Sequence, residues 1–150
     1  MTKNVGTLMY LAPETIDNTL SIEQGDMSRA ILATKLDIYS YGIIMWELLF
    51  EMTPFIQSPD ESEPTEKLLA YKIPFLVSQG LRPTIPKRME EDYARWIQGH
   101  FLNYAFKGFK NPASVLEKYV ILMKLCWEQQ PSKRPSFSFI LEQLKEMKEL

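Results

Sequence analysis

A chain of 150 residues, 45% hydrophobic and 24% charged with a formal charge of −2, is long enough to bury a core of its own. It is too apolar for a disordered polymer, and its small negative charge gives no general pull toward nucleic acid or anionic lipid. Its one cysteine, Cys126, between Leu125 and Trp127, cannot close an internal disulfide and reads as a buried, inert thiol suited to a reducing compartment.

Residues 1–14 read as loop, and residues 15–34 as a polar stretch turning at Gly25-Asp26. The most apolar segment follows, residues 34–51. Thr34 is placed to cap it and Asp37 falls in the expected first turn, where a carboxylate favours the helix dipole. Ile38, Tyr41, Met45 and Leu48 form one stripe, and Ile43, Ile44, Leu49 and Phe50 cover much of the rest. A helix apolar on most sides is predicted to be buried on most sides, so this is the expected central helix. Thr53-Pro54 ends it, and acidic residues 57–64 make a surface loop.

Thr65 is placed to cap a short helix over 66–73. Pro74, Gly80, Pro83 and Pro86 exclude regular structure through residues 81–86. Tyr93, Trp96, Ile97, Phe101, Tyr104 and Ala105 predict one helix within 87–112. Ser114 starts the next, with Leu116, Tyr119, Val120, Met123 and Trp127 on its buried face. Ser136 starts the last, with Phe137, Ile140, Leu141, Leu144 and Met147 on an amphipathic stripe. No strand alternation stands out. The predicted fold class is all-α, with helices packed around residues 34–51. No stretch approaches the roughly 20 apolar residues of a membrane span, and no apolar run near the N-terminus serves as a signal peptide. A cytoplasmic protein without membrane or nucleic-acid contact is expected.

Four motifs occur in order: Gly6-Thr7-Leu8-Met9-Tyr10-Leu11-Ala12-Pro13-Glu14; Lys35-Leu36-Asp37-Ile38-Tyr39-Ser40-Tyr41-Gly42 with Trp46-Glu47-Leu48; Leu81-Arg82-Pro83-Thr84-Ile85-Pro86; and Cys126-Trp127-Glu128-Gln129-Gln130-Pro131-Ser132-Lys133-Arg134-Pro135-Ser136-Phe137. The first resembles the end of the activation segment of serine/threonine kinases, whose signature includes A-P-E. The second resembles the D-x-x-S-x-G…W-E-L of the central helix of protein kinases. The last two are similar to the R-P-x-I-P and C-W-x-x-x-P-x-x-R-P-x-F of tyrosine kinases and the tyrosine-kinase-like group. The resemblance runs from Gly6 to about Leu144. It implies the helical C-terminal lobe of a protein kinase domain of serine/threonine type in that group.

The resemblance implies a buried ion pair of Glu14 with Arg134, joining a carboxylate to a planar guanidinium. It implies that Asp37 anchors the backbone of a catalytic loop, and that Gly6, Thr7 and Tyr10 position a protein substrate. Threonine at 7 with Tyr10 points to serine/threonine specificity. The glycine-rich loop, the ATP-binding lysine, H-R-D-x-x-x-x-N and D-F-G required for phosphoryl transfer are absent from the sequence, and the single histidine, His100, has no Arg-Asp after it. In the family these elements precede A-P-E, so residues 1–150 are expected to be a partial domain without the N-terminal lobe and catalytic loop. No catalytic, cofactor-binding or metal residue is assigned to the chain; ATP and magnesium are implied for the complete domain. The expected partners are a protein substrate and the absent parts of the parent domain. The alternative is a non-catalytic binding scaffold or pseudokinase-like module. Residues 18–33 and 87–110 are longer than the family pattern, and loops between elements tolerate such additions. The second is dense in aromatic residues (Tyr93, Trp96, Phe101, Tyr104, Phe106 and Phe109), as either a self-covering satellite core or a docking surface for a protein partner.

Overall fold

The computed structural model describes residues 8–17, 19, 28–59, 69–100 and 106–150. Among them the chain is helical and contains no strand. The helices are α1 (Arg29–Phe50), α2 (Ile73–Ser78), α3 (Lys87–Glu91), α4 (Tyr93–His100), α5 (Pro112–Cys126) and α6 (Phe137–Lys148), with 3-10 turns at Pro13–Thr15, Ala70–Lys72 and Pro131–Lys133.

α1 is the centre. It buries Ile38, Tyr39, Gly42, Ile43, Met45 and Trp46, and each large side chain removed from water contributes about 1.5–3 kcal/mol. It packs most extensively on α5, which is flanked in turn by α4 and α6. Gly42 marks the crossing: a Cβ there would lie 3.0 Å from Cys126 Cβ and 3.1 Å from the Trp127 nitrogen. α2 packs against the turn Pro13–Thr15.

The helix boundaries correct several sequence expectations. α1 starts at Arg29 instead of Thr34, because Ser28 accepts from the Ile31 amide and caps it. The Thr34 hydroxyl donates to the Ala30 carbonyl inside the helix. α1 ends at a left-handed Glu51, whose amide donates to Glu47 O. Pro74 opens α2, where its missing N–H costs nothing; Thr65 lies outside the described residues. The helix expected within 87–112 is divided. Asp92 interrupts the chain after α3 and its side chain accepts from the Arg95 amide at the start of α4. α5 is capped by Asn111, whose side chain accepts from the Ser114 amide, so Ser114 lies within the helix. Ser136 caps α6 as predicted.

Candidate functional site

The turn Pro13–Thr15 begins with a proline, whose fixed φ suits a helical start. The Thr15 amide donates to Ala12 O and the Ile16 and Asp17 amides to Pro13 O. This tight turn sends Glu14 inward, leaving it 4% exposed. Arg134, held extended after the turn Pro131–Lys133, is 1% exposed. Its Nη1 donates to Glu14 Oε1 at 2.6 Å and its Nη2 to Glu14 Oε2 at 2.8 Å. The remaining guanidinium hydrogens go to the backbone: Nε to Glu128 O (2.9 Å), Nη1 also to Lys35 O (2.9 Å), and Nη2 also to Gln129 O (3.4 Å). A two-bond ion pair with every donor answered is the arrangement in which burial of a charge is tolerated. The expected long-range pair is therefore formed in the structure.

Lys35 makes the clasp reciprocal. Its carbonyl accepts from Arg134, while its Nζ donates to the Arg134 and Pro135 carbonyls. Burial, with the Arg134 cation adding to it, lowers the Lys35 pKa from its ordinary value. Tyr39 lies under two guanidiniums: the Cζ atoms of Arg82 and Arg134 are each 5.1 Å from its ring centroid. Arg82 is fixed by bonds to Trp127 O (2.8 Å), Leu81 O (2.7 Å) and Gln129 Oε1 (2.7 Å). The Trp46 indole donates to Thr84 O at 2.8 Å, so the segment 81–86 is tied to α1 without regular structure of its own. Arg82, Tyr39 and Lys35 stand within the motifs, and their roles were readable only once the fold brought them together.

Tyr10 is tied to α1. Its hydroxyl donates to Glu47 Oε2 at 2.7 Å, and its carbonyl accepts from Ser40 Oγ at 2.8 Å. Burial and the bond to Glu47 push the phenol up to about 12. Gly6 and Thr7, expected beside it, lie outside the described residues. Asp37 is not brought into the cluster. It lies more than two turns inside α1, so the expected helix-terminus role does not apply. It is exposed, and its carboxylate has no hydrogen-bond or ion-pair partner among the described residues. It shares a helix face with Ile44 and Leu48, which are 40% and 69% exposed.

Among the described residues no group of three His, Cys, Asp or Glu side chains is placed to hold a metal ion. Burial pushes the Cys126 thiol up to about 12. His100 stacks on Trp96 with ring centroids 3.5 Å apart and planes 7° from parallel, its Nδ1 3.1 Å from Trp96 O. Within 87–110, Trp96 is buried, and Tyr93, Ile97, Phe106 and Phe109 pack against the core; Phe101 and Tyr104 lie outside the described residues. No described helix is long and apolar enough to cross a membrane.

Residues 1–145 match the family model of the protein kinase domain, and the chain belongs to that family. It is 29% identical over 149 residues to a probable LIM domain-containing serine/threonine-protein kinase of Dictyostelium discoideum, covering 99% of this chain and 16% of the relative. It is 29% identical over 147 residues to a serine/threonine-protein kinase of Arabidopsis thaliana (98% and 18%). A protein kinase and PP2C-like domain-containing protein of Arabidopsis thaliana is 32% identical over 148 residues (93% and 17%). The chain thus spans less than a fifth of the length of these relatives.

Proposed function

We propose that the chain is the helical C-terminal lobe of a serine/threonine protein kinase of the tyrosine-kinase-like group. In the complete domain, phosphate passes from magnesium-bound ATP to a protein hydroxyl. Here Gly6, Thr7 and Tyr10 present the protein substrate, and the Glu14–Arg134 pair fixes the turn that follows Tyr10. The observation that carries this reading is that pair, buried and two-bonded between residues 120 positions apart.

The outward face of α1 completes the reading. An Asp37 carboxylate with no partner among the described residues, on one face with exposed Ile44 and Leu48, is suited to the catalytic loop and N-terminal portion of the parent domain: donors opposite the acid, apolar side chains opposite the aliphatics. Alone, the chain binds no ATP in the micromolar range and transfers no phosphate. The aromatic segment 87–110 serves mainly to cover α5. A second reading, a lobe used as a non-catalytic scaffold, is favoured by a clasp that closes on residues this chain supplies.

The test is a phosphotransfer assay with ATP, magnesium and a serine/threonine protein substrate. One arm uses the chain alone. The other uses the chain joined to a kinase segment that carries the glycine-rich loop through D-F-G. Transfer by the joined protein alone is expected. Transfer by the 150 residues alone would overturn the proposal, and an inert joined protein that still captures substrate would favour the scaffold.

A further inference from the structure

The Tyr39 hydroxyl is buried and has no hydrogen-bond partner among the described residues, although buried polar atoms are nearly always paired. The feature the site uses is therefore the ring. Arg82 and Arg134 both lie over it, and a buried aromatic face attracts a guanidinium by its quadrupole. The two cations disfavour each other: the Arg82 pKa is lowered by burial, with Arg134 contributing. They are also fixed to one short segment, Arg82 to Trp127 O and the Gln129 side chain, Arg134 to Glu128 O and Gln129 O. Beyond Arg134 the two carboxylate bonds lead to Glu14. On the other side, Arg82 and Gln129 form the wall of a surface cavity of about 400 Å³, lined also by Gly80, Pro83, Lys124 and Trp127.

We propose that Tyr39 is a positioning residue that couples this cavity wall to the turn carrying Glu14. A change in the seat of Arg82 passes through the shared ring to Arg134, and from there to the Pro13–Thr15 turn. The coupling is a property of the fold and is measured without any kinase activity.

The measurement is amide hydrogen exchange at Thr15, Ile16 and Asp17, whose amides are bonded within that turn. The Val115 amide, bonded to Asn111 O at the distant start of α5, is the internal reference. Arg82 makes no hydrogen bond to the turn, although its charge acts on Glu14; Arg82→Met is expected to speed exchange there at least about fivefold, within the usual range of coupling between sites, and to leave Val115 unchanged. Tyr39→Phe keeps the ring and is expected to preserve this response. Tyr39→Leu is expected to abolish it.

An unchanged turn in Arg82→Met would overturn the proposal. So would equal acceleration at Val115, which signals loss of the whole fold. An equal response in Tyr39→Leu would also overturn it, placing the route through α2, whose Val77 carbonyl accepts from Arg82. Should Tyr39→Leu fail to fold, the comparison of Arg82→Met with Arg82→Met/Tyr39→Phe decides: loss of the response with phenylalanine would mean that the ring alone is insufficient.

Discussion

The inward side of α1 and its outward face differ in how far their chemistry is answered. Inward, Arg134 donates to a carboxylate and to three carbonyls, Lys35 to two more, and Trp46 to Thr84. Outward, Asp37 has no partner among the described residues, and Ile44 and Leu48 meet solvent. Both sides belong to one helix of similar apolar content. The inward side closes on residues this chain supplies, whereas the outward face carries groups that acquire value only against something else. A polar or apolar group without a partner is a cost when buried and nearly neutral when exposed. The chain can therefore fold around the clasp and leave the outward face open.

The largest expected effect comes from opening the clasp. Glu14→Gln keeps the shape of the side chain and removes its charge, leaving the Arg134 guanidinium buried without a counter-ion. The expected loss is about 3–5 kcal/mol, read as a lower urea midpoint at constant slope. Arg134→Met should cost a similar amount, and the double variant less than the two losses added together, because the partners share one interaction. A loss below about 1 kcal/mol for Glu14→Gln would mean that the pair is decorative and that the two sides of α1 do not differ as described.

Two substitutions three residues apart test the contrast on the helix itself. Met45→Ala, on the inward side, removes a fully buried side chain and should cost about 2–5 kcal/mol. Leu48→Glu, on the outward face, should change the stability of the isolated chain by no more than about 0.5 kcal/mol and lower its tendency to aggregate. In the joined protein of the phosphotransfer assay the same Leu48→Glu should be damaging, because the face is then covered. Equal losses for the two variants in the isolated chain would erase the distinction between the faces.

What the sequence made legible follows the same division. Glu14 and Arg134 could be paired because the motifs that carry them resemble those of protein kinases, and that resemblance implies the pair, while the central helix announced itself by apolar density. The stripe of Ile38, Tyr41, Met45 and Leu48 did not distinguish inward from outward, since periodicity marks apolar faces and is silent on what covers them. Phe137 and Leu141 illustrate this at α6: they share the predicted stripe with Ile140 and Met147, yet they remain exposed while those two are buried. The start of α1 was misplaced because Ser28 and Thr34 are equally able to cap, and only the fold decides between them. The break at Asp92 had a signal in the sequence, an acidic residue ahead of Tyr93, which an unbroken aromatic spacing obscured. The meeting of Arg82 with Tyr39 had none, because it depends on how residues 81–86 lie across α1.

A smaller effect sharpens the inward side further. Burial holds the Cys126 thiol at about 12 against an ordinary value of 9.0, and the Tyr10 and Tyr39 phenols at about 12 against 10.0. Each raised value means that the folded chain binds the proton more tightly than the unfolded chain, so its contribution to stability is complete below the ordinary value and is lost as pH rises through the raised one. Lys35, whose pKa is lowered, acts in the opposite direction. Between pH 9 and 10 the loss falls mainly to Cys126, and above 10 the phenols join it. The urea midpoint of the reduced chain should decline from pH 9 onward. Cys126→Ala should flatten the curve between 9 and 10 while leaving the steeper fall above 10. Tyr39→Phe should soften only that later fall. A midpoint indifferent to pH from 9 to 10, or the same decline in Cys126→Ala, would place the thiol in water and remove Cys126 from the buried contact with Gly42 on which the crossing of α1 and α5 depends.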